Sequence, residues 1–195
     1  MIRAVIFDCF GVLVEDALSV LCQQLAPTER QQATDIMHAA HRGLVTPEDS
    51  NKQIAALLGM SREAYRAAIR DGEIKNDELL EYILALRGQY KTAMLSNIST
   101  GGITRRFTPQ ELALFDTVVA SGDIGYAKPE PEAYEITADR LGVRLDECVF
   151  TDDHEEFCEG ARGVGMQAIL YTNFTQFKAD LEKLLASEKG KEQPD

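Results

Sequence analysis

The sequence predicts an α/β fold, a Rossmann-like doubly wound parallel sheet with a helical unit inserted after its first strand. Three observations carry that prediction. Short apolar runs rich in β-branched residues recur along the chain and end in polar residues; helical patterns alternate with them; and the stretch from Glu15 to Asn76 breaks the alternation with helical periodicity alone. Alternating strands and helices imply parallel strands joined by right-handed crossovers. In such a sheet ligands bind just outside the carboxyl ends of the strands, so the polar residues that end each run are where chemistry is expected.

Residues 2–7, Ile-Arg-Ala-Val-Ile-Phe, read as the first strand and run directly into Asp8-Cys9-Phe10-Gly11-Val12. The helical insert follows, with apolar spacing at Leu18, Leu21, Cys22 and Leu25, then at Ile54, Leu57 and Leu58, then at Tyr65, Ala68 and Ile69. Thr46-Pro47-Glu48-Asp49 has helix-start chemistry, and Thr108-Pro109-Gln110-Glu111 is a capping box with proline at the first helical position. Further strands are expected at Thr92 to Leu95, ending at Ser96-Asn97, at Thr117 to Ala120, at Cys148 to Phe150, ending at Thr151-Asp152-Asp153, and at Gln167 to Tyr171. Gly142 and Gly163 stand where helices should stop. The expected division is a core of residues 1–14 and 77–186, a helical cap of residues 15–76, and a charged, disordered tail of residues 187–195.

Composition narrows the class of function. At 195 residues the chain holds one core and a small appended unit, and a formal net charge of -12 argues against a phosphate-backbone partner, so nucleic acid is not expected. Cys9, Cys22, Cys148 and Cys158 lack paired metal spacing and read as reduced thiols of a cytoplasmic protein. The first apolar stretch is broken by Asp8 and is too short to span a bilayer or to act as a secretory signal, so no membrane partner is expected. Oligomeric state is not legible.

Four separated signals converge: Asp8 in Phe-Asp-Cys-Phe-Gly-Val-Leu, Ser96 in Leu-Ser-Asn, Lys128 in Lys-Pro-Glu-Pro-Glu-Ala-Tyr, and Asp152-Asp153 followed by Glu-Gly-Ala-Arg-Gly-Val-Gly-Met. In this order, across the whole chain, they resemble the haloacid dehalogenase-like (HAD) hydrolase superfamily, with an insert similar to its C1 cap. The resemblance implies that the Asp8 strand is central, flanked by the strands ending at Ser96 and Asp153. It also implies a Mg²⁺-dependent phosphatase of small phosphorylated metabolites that works through an aspartyl-phosphate on Asp8. A carboxylate attacking an anionic phosphoryl group needs charge compensation, which Mg²⁺ bound by carboxylate oxygens supplies. The expected metal ligands are Asp8, Asp153, Asp152 and, by the resemblance, the backbone carbonyl of Phe10. Lys128 and the Ser96 hydroxyl are expected to stabilise the phosphoryl oxygens, and Asn97 and Arg42 to contact substrate. Cys9, by strand alternation, is expected to pack rather than react, and His38 and His41 to lie on the cap's helix surface.

Two residues depart from the family pattern. Phe10 stands where related phosphatases carry an aspartate that protonates the leaving oxygen, a contribution of ~10²–10⁴-fold in rate. Phe157 stands where a polar residue is usual. The aromatic at position 10 resembles the metal-independent 2-haloacid dehalogenases, which is the rival reading, but those replace the acidic pair retained here as Asp152-Asp153. A third reading is a non-catalytic protein that binds phosphorylated ligands.

Overall fold

The computed structural model describes residues 1–190, with side chains described through residue 187. In chain order the elements are β1 (Ala4–Phe7), α1 (Ala17–Cys22), α2 (Pro27–His41), α3 (Pro47–Leu57), α4 (Arg62–Gly72), α5 (Asp77–Leu86), β2 (Lys91–Ser96), α6 (Pro109–Leu112), β3 (Thr117–Ala120), α7 (Ser121–Ile124), α8 (Pro131–Leu141), β4 (Cys148–Asp152), α9 (Glu155–Gly163), β5 (Gln167–Leu170) and α10 (Phe174–Gly190). The five strands form one parallel sheet in the order β3-β2-β1-β4-β5, with β1 at the centre. Parallel strands covered on both faces should be apolar throughout, and β1 and β4 are buried at every position.

Alternation along β1 sends Val5 and Phe7 to one face, where Leu79, Ile83, Phe177 and Leu181 of α5 and α10 pack. Ala4 and Ile6 point to the other face, against Tyr134, Ala138, Leu141 and Ala161 of α8 and α9. A third apolar cluster, centred on Cys22, Ala33, Ile54 and Tyr65, belongs to α1 to α4 and lies apart from both. The chain passes to these four helices and back through two segments that lie side by side. Val14 bridges antiparallel to Lys75, Glu15 N–H donates to the Ile74 carbonyl at 2.9 Å, and Asn76 N–H to the Leu13 carbonyl at 2.9 Å.

The local signals act as sequence chemistry dictates. Thr46 and Thr108 cap α3 and α6 through their hydroxyls, and Gly142 takes the left-handed conformation that stops α8. Gly163 is the last residue inside α9, and the left-handed turn falls instead on Gly165, because the chain bends back only after Val164. The expected disordered tail is corrected at its start. Helix α10 continues through Gly190, since Phe177, Leu181, Leu184 and Leu185 give it an apolar stripe against the sheet; residues 191–195 of that expectation lie outside the described residues. No described helix is long and apolar enough to cross a membrane.

Candidate active site

Register assembles the site before any side-chain detail is considered. Phe7 pairs with Thr151 of β4 and Met94 of β2, and Asp8 N–H extends the ladder by donating to the Thr151 carbonyl at 2.9 Å. Asp8 therefore stands beside Asp152, both projecting on the face that carries Ile6 and Phe150 further down their strands. Lys128, in the loop before α8, lies over the pair. Its Nζ is 2.7 Å from Asp8 Oδ1 and 2.5 Å from Asp152 Oδ2, and all three side chains are almost fully buried. The ammonium also sits 5.2 Å from the ring of Phe150 and 5.0 Å from that of Phe157. Phe157 thus forms an apolar cation–π wall beside the lysine.

Asn97 holds the lysine in place. Its Oδ1 accepts from the Lys128 N–H at 2.8 Å and its Nδ2 donates to the Lys128 carbonyl at 2.9 Å. The amide therefore positions the lysine backbone, while its second Nδ2 hydrogen has no described partner and the side chain lines both neighbouring cavities. Arg42 pairs with Glu130 at 2.8 Å across the gap between α2 and the Lys128 loop and also lines the cleft at Lys128. Ser96 is different: its hydroxyl is buried at the end of β2 without a hydrogen-bond partner. The Thr151 hydroxyl on β4 is in the same state.

Asp152 uses both oxygens inside the protein, one on Lys128 and the other on the His154 N–H at 2.9 Å. It is fully buried and anchors the lysine. Asp153 faces the opening. Its Oδ1 lies 3.0 Å from His154 Nδ1, and its carboxylate abuts Gly11, where an added Cβ would stand 2.2 Å from Asp153 Oδ2. Gly11 has φ +76°, so no other residue fits either the backbone or the space. The turn is closed by Gly11 N–H on the Val14 carbonyl at 2.7 Å and by Leu13 and Val14 N–H on the Cys9 carbonyl. No described residue donates to the Phe10 carbonyl. Cys9 is fully buried among the apolar residues of the opposite face, as alternation requires.

The charges are strongly coupled. Burial, reinforced by the Asp152 charge, pushes the Asp8 carboxyl up to about 7 against the pull of Lys128. Burial opposes the charged form of Lys128, but Asp152 and Asp8 outweigh it and hold the ammonium above its usual range. Burial also opposes ionisation of Asp152, yet Lys128 and His154 hold it below the ordinary carboxylate range. Hydrogen bonds to Asp152 and Asp153 raise His154 to about 10.

The donor set suits a hard cation. Asp8 and Asp153 offer carboxylate oxygens and Phe10 an open carbonyl, the oxygen-only chemistry Mg²⁺ prefers. Asp152, Asp153 and His154 also present ligand atoms within 4.8 Å of one another, but the His154 nitrogen makes that trio a poorer match to Mg²⁺.

The Phe10 ring leaves this cluster and lines a cavity of about 530 Å³ between the sheet edge and α1 to α4. Arg106 stacks over it, with Cζ 5.1 Å from the ring centre, and is itself tied to Glu73 at 2.6 Å. His41 corrects the helix-surface expectation. Its Nδ1 is buried without a partner, its carbonyl accepts from Ser121 Oγ at 2.9 Å, and it borders both this cavity and the smaller cleft at Lys128. The sequence signal was slight: α2 ends there, and only the docking of its last turn on Ser121 turns the ring inward.

Comparison with known proteins agrees with this fold. The family model for haloacid dehalogenase-like hydrolases matches residues 2–165. The phosphatase MT3486 of Mycobacterium tuberculosis is 33% identical over 125 residues, which is 64% of this chain and 49% of that protein, so the chain spans about half the length of that curated relative. Among solved structures, a HAD family enzyme of Bacteroides thetaiotaomicron in complex with magnesium and inorganic phosphate is similar at 22% identity. Its TM-score is 0.68, over 88% of this chain and 95% of that one. The L-2-haloacid dehalogenase PA0810 is similar at 21% identity and a TM-score of 0.64, over 86% of this chain and 83% of that one. At such identities the structural likenesses speak for the fold alone.

Proposed function

Because the chain belongs to the haloacid dehalogenase-like hydrolase family, and because one buried lysine joins two buried carboxylates at the edge of its sheet, we propose that it is a phosphatase with Asp8 as nucleophile. The Lys128 bridge between Asp8 and Asp152 is the observation that carries this reading. A carboxylate nucleophile must meet an anionic phosphoryl group, and a fixed ammonium against its oxygen offsets the repulsion at the point of attack.

In this reading Asp8 attacks phosphorus and holds the phosphoryl group as an acyl phosphate until water releases it. Lys128 neutralises the phosphoryl oxygens, the open Ser96 hydroxyl donates to one of them, and Asn97 and Asp152 keep the lysine in position. Asp8, Asp153 and the Phe10 carbonyl would hold Mg²⁺, which supplies charge compensation and substrate orientation when bound. Helices α1 to α4 act as the cap that excludes water and selects the leaving group; the small-molecule substrate enters between cap and core. The name of the mycobacterial relative supports phosphatase chemistry.

The aromatic ring at position 10 favours a second reading, a metal-independent 2-haloacid dehalogenase. Against it stands the retained acidic pair Asp152-Asp153, which resembles the phosphatases, whereas the metal-independent dehalogenases replace that pair with uncharged residues. A screen of the purified protein, with and without Mg²⁺, against activated phosphates and 2-haloacids separates the two. Mg²⁺-dependent phosphate release lost in Asp8→Asn supports the phosphatase; metal-independent halide release overturns it.

A further inference from the structure

Release of phosphate from Asp8 needs a base, and the side chain at position 10 cannot be one. In an in-line displacement the water approaches phosphorus opposite the Asp8 oxygen, from the side that faces α1 to α4. Most titratable residues lining the cap cavity on that side are committed elsewhere. Asp16 caps α1, accepting from the Ser19 N–H at 2.9 Å, while Glu73 pairs with Arg106 and Lys75 with Glu111, each at 2.6 Å. The Tyr65 hydroxyl donates to Asn51 Oδ1 at 3.3 Å, and burial pushes it up to about 12. The arginines have no lone pair to offer. His41 is left.

The end of α2 that carries His41 is docked on the Lys128 loop by two contacts. Ser121 Oγ donates to the His41 carbonyl at 2.9 Å and accepts from the Ile98 N–H at 3.0 Å, one residue from the Asn97 that clamps Lys128. Arg42 pairs with one oxygen of Glu130, whose other oxygen accepts from the Ala127 N–H at 2.8 Å. The imidazole is thereby set where it borders both the cap cavity and the cleft at Lys128, the lysine that touches Asp8. Its Nδ1 is closed off without a partner, and Nε2 makes no hydrogen bond with a described residue. Burial and the charges of His38 and Lys128 keep the ring neutral against the weaker pull of Asp16. A neutral ring has a lone pair for a proton, and a phosphoryl group on Asp8 brings the negative charge that offsets Lys128 and stabilises the imidazolium.

We propose that His41 is the general base for the second half of the reaction, acting from the cap where Phe10 cannot, an inference that rests on the phosphatase reading. The oxygen of water bonds to phosphorus as the bond from phosphorus to the Asp8 oxygen breaks, and that electron pair returns to the Asp8 carboxylate. One proton of the water passes to His41 Nε2 and then to solvent; the other leaves with inorganic phosphate. The first half, in which Asp8 displaces the leaving group, makes no call on His41, and the departing oxygen takes its proton from solvent.

The test follows 4-nitrophenyl phosphate in Mg²⁺ by rapid mixing, reading nitrophenolate release and, after acid quench, phosphoenzyme by mass spectrometry. In His41→Gln the nitrophenolate burst should persist, stoichiometric with protein, while phosphoenzyme decay slows at least ~100-fold, the lower end of what a general base supplies. That burst also shows the variant to be folded. Added imidazole should speed decay in His41→Ala and leave the wild type unchanged, a rescue that a merely structural role does not give. Decay at the wild-type rate in His41→Gln, or slowed decay that imidazole fails to restore in His41→Ala, overturns the base and leaves the phosphatase reading standing. A wild type that yields neither nitrophenolate nor phosphoenzyme overturns the phosphatase reading, and the base falls with it.

Discussion

Lys128 Nζ lies 2.5 Å from Asp152 Oδ2, with neither side chain more than 1% exposed, and the same ammonium reaches Asp8 at 2.7 Å. One cation therefore serves two carboxylates in a place where water does not screen them. Asp152 spends its second oxygen on the His154 N–H, so it is an anchor, and Asp8 is the acid left to face the cleft. The division of labour follows from register and burial, not from any difference between two aspartates.

Removing the lysine should expose this dependence. Lys128→Met leaves Asp8 and Asp152 adjacent without a cation, and breaking a buried pair in this way costs about 3–5 kcal/mol. Lys128→Met with Asp152→Leu removes one of the two uncompensated charges and the repulsion between them, and the double variant should lose markedly less than the sum of the singles. Urea unfolding of the four proteins measures the coupling; strictly additive losses would mean that the bridge does not shape stability.

Gly11 joins the turn after β1 to Asp153. Gly11→Ala forces a side chain into a left-handed conformation, about 1–2 kcal/mol by itself, and pushes its Cβ into the Asp153 carboxylate. The expected outcome is a modest fall in thermal midpoint together with loss of the Mg²⁺-induced rise in that midpoint. A variant that kept the full Mg²⁺ response would show that Asp153 and the Gly11 turn are not part of the metal site.

The sheet, its alternation with helices and the insert were legible because each rests on local chemistry: β-branched runs, proline and threonine at helix starts, and Gly142 at a helix stop. Asp8, Lys128 and the Asp152-Asp153 pair stood out as a set because their motifs, in this order along the chain, resemble those of the family. What escaped was the partition among them. Nothing local says that Asp152 points at Lys128 and Asp153 at Gly11, or that Asn97 clamps a backbone thirty-one residues away. Such roles depend on long-range register. The His41 ring was misplaced for the same reason, since the contact that turns it inward comes from Ser121, eighty residues on.

Phe10 is the residue to convert. Phe10→Asp puts a carboxyl at the cavity edge, where general acid help is worth ~10²–10⁴-fold on poor leaving groups. Arg106, now stacked on the ring, would hold that carboxyl ionised and blunt the gain. The glycerol phosphate to 4-nitrophenyl phosphate rate ratio should therefore rise only toward the lower end of that range, and rise further in Phe10→Asp with Arg106→Gln. A ratio unchanged in both variants would show that position 10 does not face the leaving oxygen.

His41 sets a pH dependence on the junction of cap and core. Burial, with His38 and Lys128 nearby, lowers it from its ordinary 6.5 to about 4, while Asp16 pulls weakly the other way. Between those values the unfolded chain binds a proton that the folded chain does not, so this residue's share of stability is complete above about 6.5 and lost as pH falls toward 4. Protonation would place a second cation near Lys128 with no acid committed to it, favouring separation of α2 from Ser121. His41→Gln keeps a polar side chain but cannot titrate. Urea midpoints measured from pH 7.5 down to 4.5 should fall more steeply for the wild type than for His41→Gln; parallel curves would mean that the ring is free to meet solvent when charged.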